Sequence, residues 1–341
     1  MPERIVTLAK AVSSVANEKV AGIERINAQA RLLALNAQIE ASRAGAAGTG
    51  FGVVAQQVKS ISREIDGLTA ELTRQLQPRL EELDQLGQQL VATVRGTRLA
   101  DLALNLIEII DRNLYERSCD VRWWATDSAV VAACADPTPK VAAFAGKRLG
   151  IILDSYTVYC DLVVCNLQGQ VIAHGRPEKF PRLLGASMAG ESWFRDALAT
   201  KDGSEFSVAD VSHSAALGRH VATYGAAIRS GGEVQGRPIG VLGIFFDWST
   251  QAQVVVDGVR LSAQERAVTR ALIVDSRQRV LAASDRMGVL KEVLPLDAQG
   301  KKIGHYQTED GAVFGFALTP GYETYKGLGW YGVLVQRRTA T

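Results

Sequence analysis

From Val54 the apolar residues recur as Val54, Val58, Ile61, Ile65, Leu68 and Leu72. Steps alternating between four and three lay a single heptad seam along a helix. The rhythm continues more loosely through Leu76, Leu80, Leu83, Leu86, Leu90 and Val94. Pro78 falls inside it, where a kink or fray is expected. Upstream, Val12, Ala16, Ile23, Ile26, Ala30, Leu33 and Ala37 mark a facing stripe. Between the two stripes lies Arg43-Ala-Gly-Ala-Ala-Gly-Thr-Gly-Phe-Gly52, whose glycines permit a sharp reversal. The pattern predicts a long antiparallel hairpin over residues 1–95, its tip near 44–52. Each arm spans roughly 40 residues, or about 60 Å at the helical rise. One hairpin alone leaves apolar seams uncovered. A second copy covers them, so a homodimer forming a four-helix bundle is expected.

Texture changes along the chain. It holds five Trp, eight Tyr and nine Phe, yet only Phe51 precedes residue 115. A third helical pattern begins at Leu99, Leu102, Leu106, Ile109 and Ile110 and runs past Trp123 and Trp124 towards Cys134. Asp136-Pro-Thr-Pro139 stops it. Period-two alternation then takes over. Asp161–Asn166 and Gln170–His174 read as a hairpin about Leu167-Gln-Gly169. Glu205–Val211, His220–Arg229 and Ile239–Asp247 read as further strands, and Glu191–Thr200 as a helix between them. A shorter echo follows, with strand–turn–strand over Ala271–Ser284 and strands at His305–Thr308, Ala312–Leu318 and Trp330–Gln336. The fold class is therefore α+β and multidomain. The hairpin precedes a long helix with a first module over 98–255 and a smaller second module over 260–341.

With 341 residues, 47% hydrophobic and 22% charged, the chain can bury real cores and is not a disordered one. A net charge of +2 leaves no strong field for nucleic acid, and none is expected as partner. The longest apolar run, Ile239–Phe246, is far short of a membrane helix, and no signal peptide is evident. A cytoplasmic location is expected. Cys119, Cys134, Cys160 and Cys165 show no CxxC spacing and read as reduced thiols.

Chemical motifs are sparse. Gly48-Thr-Gly50-Phe-Gly52 resembles a dinucleotide loop, but a heptad helix precedes it instead of a strand, so no cofactor is expected. His174, His213, His220 and His305 lack metal-ligand spacing, and no metal is expected. No Gly-x-Ser-x-Gly elbow exists, and Asp210 with His213 makes no triad beyond residue type. No catalytic residue is assigned, and the chain does not read as an enzyme.

Residues Ile26–Lys59, INAQARLLALNAQIEASRAGAAGTGFGVVAQQVK, carry a specific likeness. The stretch over 23–66 resembles the signalling-tip hairpin of methyl-accepting chemotaxis receptors. The resemblance implies a cytoplasmic coiled-coil dimer, a place at polar receptor arrays, and docking to a chemotaxis histidine kinase, its coupling protein and other chemoreceptors. By position it implies contact roles between receptors for Leu32, Leu35, Asn36, Glu40 and Arg43. Val53 falls where the kinase or coupling protein is touched. Ala28, Arg31, Ala46 and Thr49 depart from the usual residues. Neither the paired Glu/Gln adaptation sites nor the tail that tethers adaptation enzymes is recognised.

Residues 98–341 resemble, more weakly, a double Cache sensor of tandem PAS-like modules. The likeness rests on DLVVCNLQGQVIAHG, ESWFRDALATKDG, GVLGIFFDW and GYETYKGLGWYGVLVQ. It implies a small-molecule pocket walled by Trp193 and Phe194, with Asp210, Tyr224 and Asp247 as further ligand-binding candidates. Amino-acid-binding relatives carry an arginine where this chain has Glu191. A carboxylate there favours an amine or other cation, with the aromatic pair available for cation–π contact. The implied function is a chemoreceptor-like transducer that senses a small molecule and modulates the kinase. The alternative is a ligand-binding adaptor whose hairpin only dimerises or docks.

Overall fold

The computed structural model describes residues 2–337 and divides into two compact units, one up to Arg95 and one from Gly96.

In the first unit, helix α1 (Pro2–Arg43) reverses through a 3-10 turn (Gly45–Gly48) into helix α2 (Thr49–Trp124). The reversal needs two of the glycines. Gly45 sits at φ +60°, a conformation that L side chains rarely adopt, and a Cβ on Gly48 would lie 2.2 Å from the Ala41 carbonyl oxygen. Gly50 and Gly52 are already helical. The fray expected at Pro78 does not break α2, since proline deletes one helical hydrogen bond and the helix runs on.

The arms meet through small and polar residues. Ala9, Ala34, Ala55, Asn27, Ser62 and Thr69 are buried. Asn27 Nδ2 donates to Ser62 O (2.7 Å) and to Asp66 Oδ1 (2.7 Å), and Arg31 pairs with Asp66 Oδ2 at 2.5 Å. This corrects the sequence expectation of which stripe faces inward. Ile26 and Leu33, and across the hairpin Ile61 and Leu68, are exposed. Alanine-rich flanks let the arms approach closely, and the larger side chains point outward.

α2 continues beyond Gly96 into the second unit as an element shared by both, and the third helical pattern is its extension. Helix α3 (Ser128–Ala135) is capped by Asp127, whose side chain accepts from Ala129 N. Thr138 and Pro139 then do double duty. Proline ends one helix and opens the next, α4 (Pro139–Ser155), with the Thr138 hydroxyl accepting from Val141 N. The sequence reading took only the stop signal and missed α4.

Two five-stranded antiparallel sheets follow. The first contains β1 (Tyr159–Asn166), β2 (Val171–His174), β3 (Ser207–Ser214), β4 (Arg219–Arg229) and β5 (Pro238–Asp247), in the order β2-β1-β5-β4-β3. Helix α5 (Ser192–Leu198) interrupts this set between β2 and β3. Helices α6 (Trp248–Asp257) and α7 (Ala263–Val268) lead to the second sheet. It is built from β6 (Thr269–Val274), β7 (Val280–Ala283), β8 (Ile303–Gln307), β9 (Val313–Leu318) and β10 (Tyr331–Gln336), ordered β7-β6-β10-β9-β8. The two orders are the same permutation, so the second module repeats the first.

Buried polar contacts fix α2 on both modules. Arg117 lies over the Tyr159 ring at 5.1 Å and pairs with Asp120 at 3.3 Å, while Tyr159 donates its hydroxyl hydrogen to Asp120. Asp111 accepts from the Thr319 hydroxyl and from Gly321 N (2.8 Å). Between the modules, Trp248 and Trp330 meet edge to face at 5.0 Å, and Trp248 Nε1 donates to Leu281 O (2.7 Å). All four cysteines are free, and burial pushes the Cys160 thiol up to about 11 and the Cys134 thiol to about 12.

Candidate functional site

The hairpin carries one group of candidates. Leu32, Leu35, Asn36, Glu40 and Arg43 on α1 and Val53 on α2 are all exposed. Leu32 keeps 61% of its surface, Leu35 48% and Val53 66%. Glu40 and Arg43, three residues apart on one helix face, form an ion pair at 2.8 Å. These residues bring apolar and charged groups together on a surface that the hairpin itself does not cover.

The first sheet has two faces. Leu162, Val164, Tyr224, Ile244 and Phe246 pack in the same core as α2, α3 and α4. Val163, Cys165, Val241 and Phe245 pack with Trp193, Phe194 and Ala197 of α5. The register makes a notch for the tryptophan. Gly225 on β4 pairs with Gly243 on β5, and a Cβ on Gly243 would lie 2.6 Å from the Trp193 ring. Trp193 meets Phe194 at 6.1 Å and Phe245 at 5.9 Å, both edge to face.

The six sensor candidates do not converge. Trp193 and Phe194 are buried together on the α5 face. Tyr224 lies on the opposite face, stacked on Phe206, with its hydroxyl beside Tyr325 of the second module, and complete burial pushes that hydroxyl well up. Asp210 turns towards Arg279 of the second module at 3.9 Å, and desolvation raises its carboxyl. Asp247 caps α6, accepting from Thr250 N, and pairs with Arg219 at 2.8 Å. Glu191 is the exposed residue preceding α5. Solvent supports its charge there.

Sequence reasoning missed a buried pair on this same face. Asp161 is fully buried and its Oδ2 meets His174 Nδ1 at 2.8 Å. Its Oδ1 accepts from Leu162 N (2.7 Å) and Gly175 N (3.0 Å). Three hydrogen bonds hold the carboxylate, and it in turn orients the imidazole, whose Nε2 is buried without a partner. Opposite pairing of His174 with Val163 puts the histidine on the α5 side of the sheet. The available signal was strand alternation, which places Asp161 inward with Val163 and Cys165.

His213 and His220 face one another across β3 and β4, ring centroids 5.4 Å apart, and partial burial, then the neighbouring imidazole, lower the pKa of His220. Among the described residues no group of three or more His, Cys, Asp or Glu could hold a metal ion, and no helix is long and apolar enough to cross a membrane.

Residues 3–113 match the family described as the methyl-accepting chemotaxis protein (MCP) signalling domain. Similar relatives include the methyl-accepting chemotaxis protein McpN of Pseudomonas aeruginosa. It is 42% identical over 86 residues, which cover 25% of this chain and 15% of that protein. PctB of the same organism is 41% identical over 90 residues, covering 26% and 13%. The likeness thus spans under a sixth of either relative's length. The second unit is similar to solved chemoreceptor sensor domains. The sensory domain of Campylobacter jejuni Tlp3 superposes with a TM-score of 0.55 at 15% identity, over 72% of this chain and 94% of that one. The ligand-binding domain of P. aeruginosa PctC, solved with GABA, gives 0.52 at 17% identity, over 71% and 99%. At such identity the likeness is one of fold. The family match thus covers about a third of the chain, in its N-terminal part. The chain joins a segment similar to methyl-accepting chemotaxis protein signalling domains to a second unit with the two-module fold of Cache-type sensor domains.

Proposed function

We propose that the chain works as a homodimeric signal transducer. Its Cache-type unit senses a small molecule, and its hairpin tip modulates a chemotaxis histidine kinase through the coupling protein. The observation that carries this reading is the family match across the tip, where Leu32, Leu35 and Val53 keep apolar surface in water beside the Glu40–Arg43 pair. The outward Ile61 and Leu68 support dimerisation, because burying such side chains against a second hairpin is worth about 1.5–3 kcal/mol each.

For sensing, the α5 face of the first sheet is the favoured place. Trp193 and Phe194 supply apolar walls, and the unpartnered His174 Nε2 supplies a directed polar group. Ligand binding shifts the population of first-module conformations, and α2 links that module to the hairpin.

A thermal-shift screen of the full chain against amino acids, amines, purines and organic acids tests the sensing half. A ligand at 100 times its Kd stabilises by about 2.7 kcal/mol. A hit whose shift disappears in His174→Gln supports the assigned face. A hit indifferent to His174 and Trp193 substitutions refutes it. Co-sedimentation with the kinase and coupling protein tests the other half, and loss of association in Glu40→Lys is the expected result.

A further inference from the structure

A concavity lies across the first sheet from α5. It is a cavity of about 790 Å³ between α4 and the segment from β2 to Leu184. The small residues of α4 create it. Ala142, Ala143, Gly146 and Gly150 recur along one side of the helix, and the two glycines bring α4 against the strand. A Cβ on Gly146 would lie 3.0 Å from the His174 carbonyl oxygen, and one on Gly150 3.1 Å from that of Gly175. Ile172 and the 60%-exposed Leu184 add apolar walls. This volume lies within the range of small-molecule sites, which bury a ligand's apolar body and orient it with few polar groups.

Those polar groups are mostly cationic. Lys147, Arg176 and Lys179 line the cavity against a single acid, Glu178. Arg176 is partly neutralised by Asp154 at 2.7 Å, and Lys179 lies over the Phe180 ring. Lys147 makes no ion pair among the described residues and stands on α4 beside Gly146. An apolar floor with a free ammonium at its edge complements one kind of molecule. We infer that this cavity binds an amphiphilic monoanion, an apolar chain or ring ending in one carboxylate, with the anion on Lys147 and the apolar body against Ala143 and Leu184.

The site opens on the α4 side, where His174 borders it through the backbone that faces Gly146, and it does not depend on the reading of the α5 face. The two share a closing segment, however, since the chain that walls the cavity also carries Phe180 and Leu183 into the cluster around Trp193.

Isothermal titration calorimetry of the full chain with octanoate tests the inference, with octylamine as the charge-reversed control. Saturable binding of octanoate and none of octylamine is expected. Lys147→Glu, at an exposed position, is expected to weaken octanoate at least about tenfold, which is about 1.4 kcal/mol. Ala143→Trp, also at an exposed position, should abolish binding by filling the cavity, with an unchanged thermal midpoint showing that the fold persists. Absence of octanoate binding at about 1 mM ligand, equal binding of octylamine, or octanoate binding indifferent to both substitutions would overturn it.

Discussion

Trp193, a proposed wall of the ligand site, is also a packing wedge. Its indole fills the notch over Gly243, closed by Phe194 and Phe245. Trp193→Ala removes that contact and should cost about 3–5 kcal/mol in urea unfolding. Gly243→Ala forces a methyl group into the ring and should cost about 1–3 kcal/mol. A pair of neutral substitutions would show that the notch is looser than described. The aromatic pair was legible because the first module's helix presents it in a recognisable stretch. Asp161 and His174 were not singled out, because a lone acid and a lone histidine on separate strands reveal their pairing only through β1–β2 register. Tyr224 lies on the other face from that pair, because alternate residues of β4 face opposite cores and residue type does not say which.

At the scale of elements, strands and their order-two rhythm were easy to read, whereas α4 and α6 were not. Both begin at residues read chiefly as ends of something else, Thr138-Pro139 after α3 and Asp247 after β5. The hairpin's arms were legible from heptads, but its inward stripe was not. Periodicity marks a seam, and only packing shows whether alanines or leucines face the neighbouring arm. One element join has a pH signature. Glu265, in the capping box with Ser262 at the start of α7, accepts from Arg98 on α2 at 2.9 Å. The Arg98 guanidinium, then the Ser262 bonds, pull its carboxyl from an ordinary 4.5 to about 2. A depressed carboxylate contributes stability above its unfolded pKa and loses it as pH falls towards the folded one. The pair is solvent-screened, so its worth is about 0.2–1 kcal/mol. The stability gap between the unaltered chain and Glu265→Gln should hold from pH 7 to about 5 and close towards pH 2. A gap that widens on acidification would reverse the assignment.

For the whole molecule, the outward seam of the hairpin is the proposed dimer interface. Sedimentation should give a dimer, and Ile61→Glu combined with Leu68→Glu should give a monomer. Both positions are exposed in the single chain, so the near-ultraviolet circular dichroism of the aromatic-rich second unit should not change. A double variant that stays dimeric would put the interface elsewhere.

Small-molecule sensing and kinase control are proposed to belong to one chain. The most direct measurement is autophosphorylation of a chemotaxis histidine kinase reconstituted with its coupling protein and the full-length chain, with and without a ligand found by the thermal-shift screen. The phosphorylation rate is expected to change on ligand addition, and the change to vanish in Glu40→Lys. A rate that ignores ligand while the complex stays assembled would contradict the proposal and leave a ligand-binding adaptor in its place.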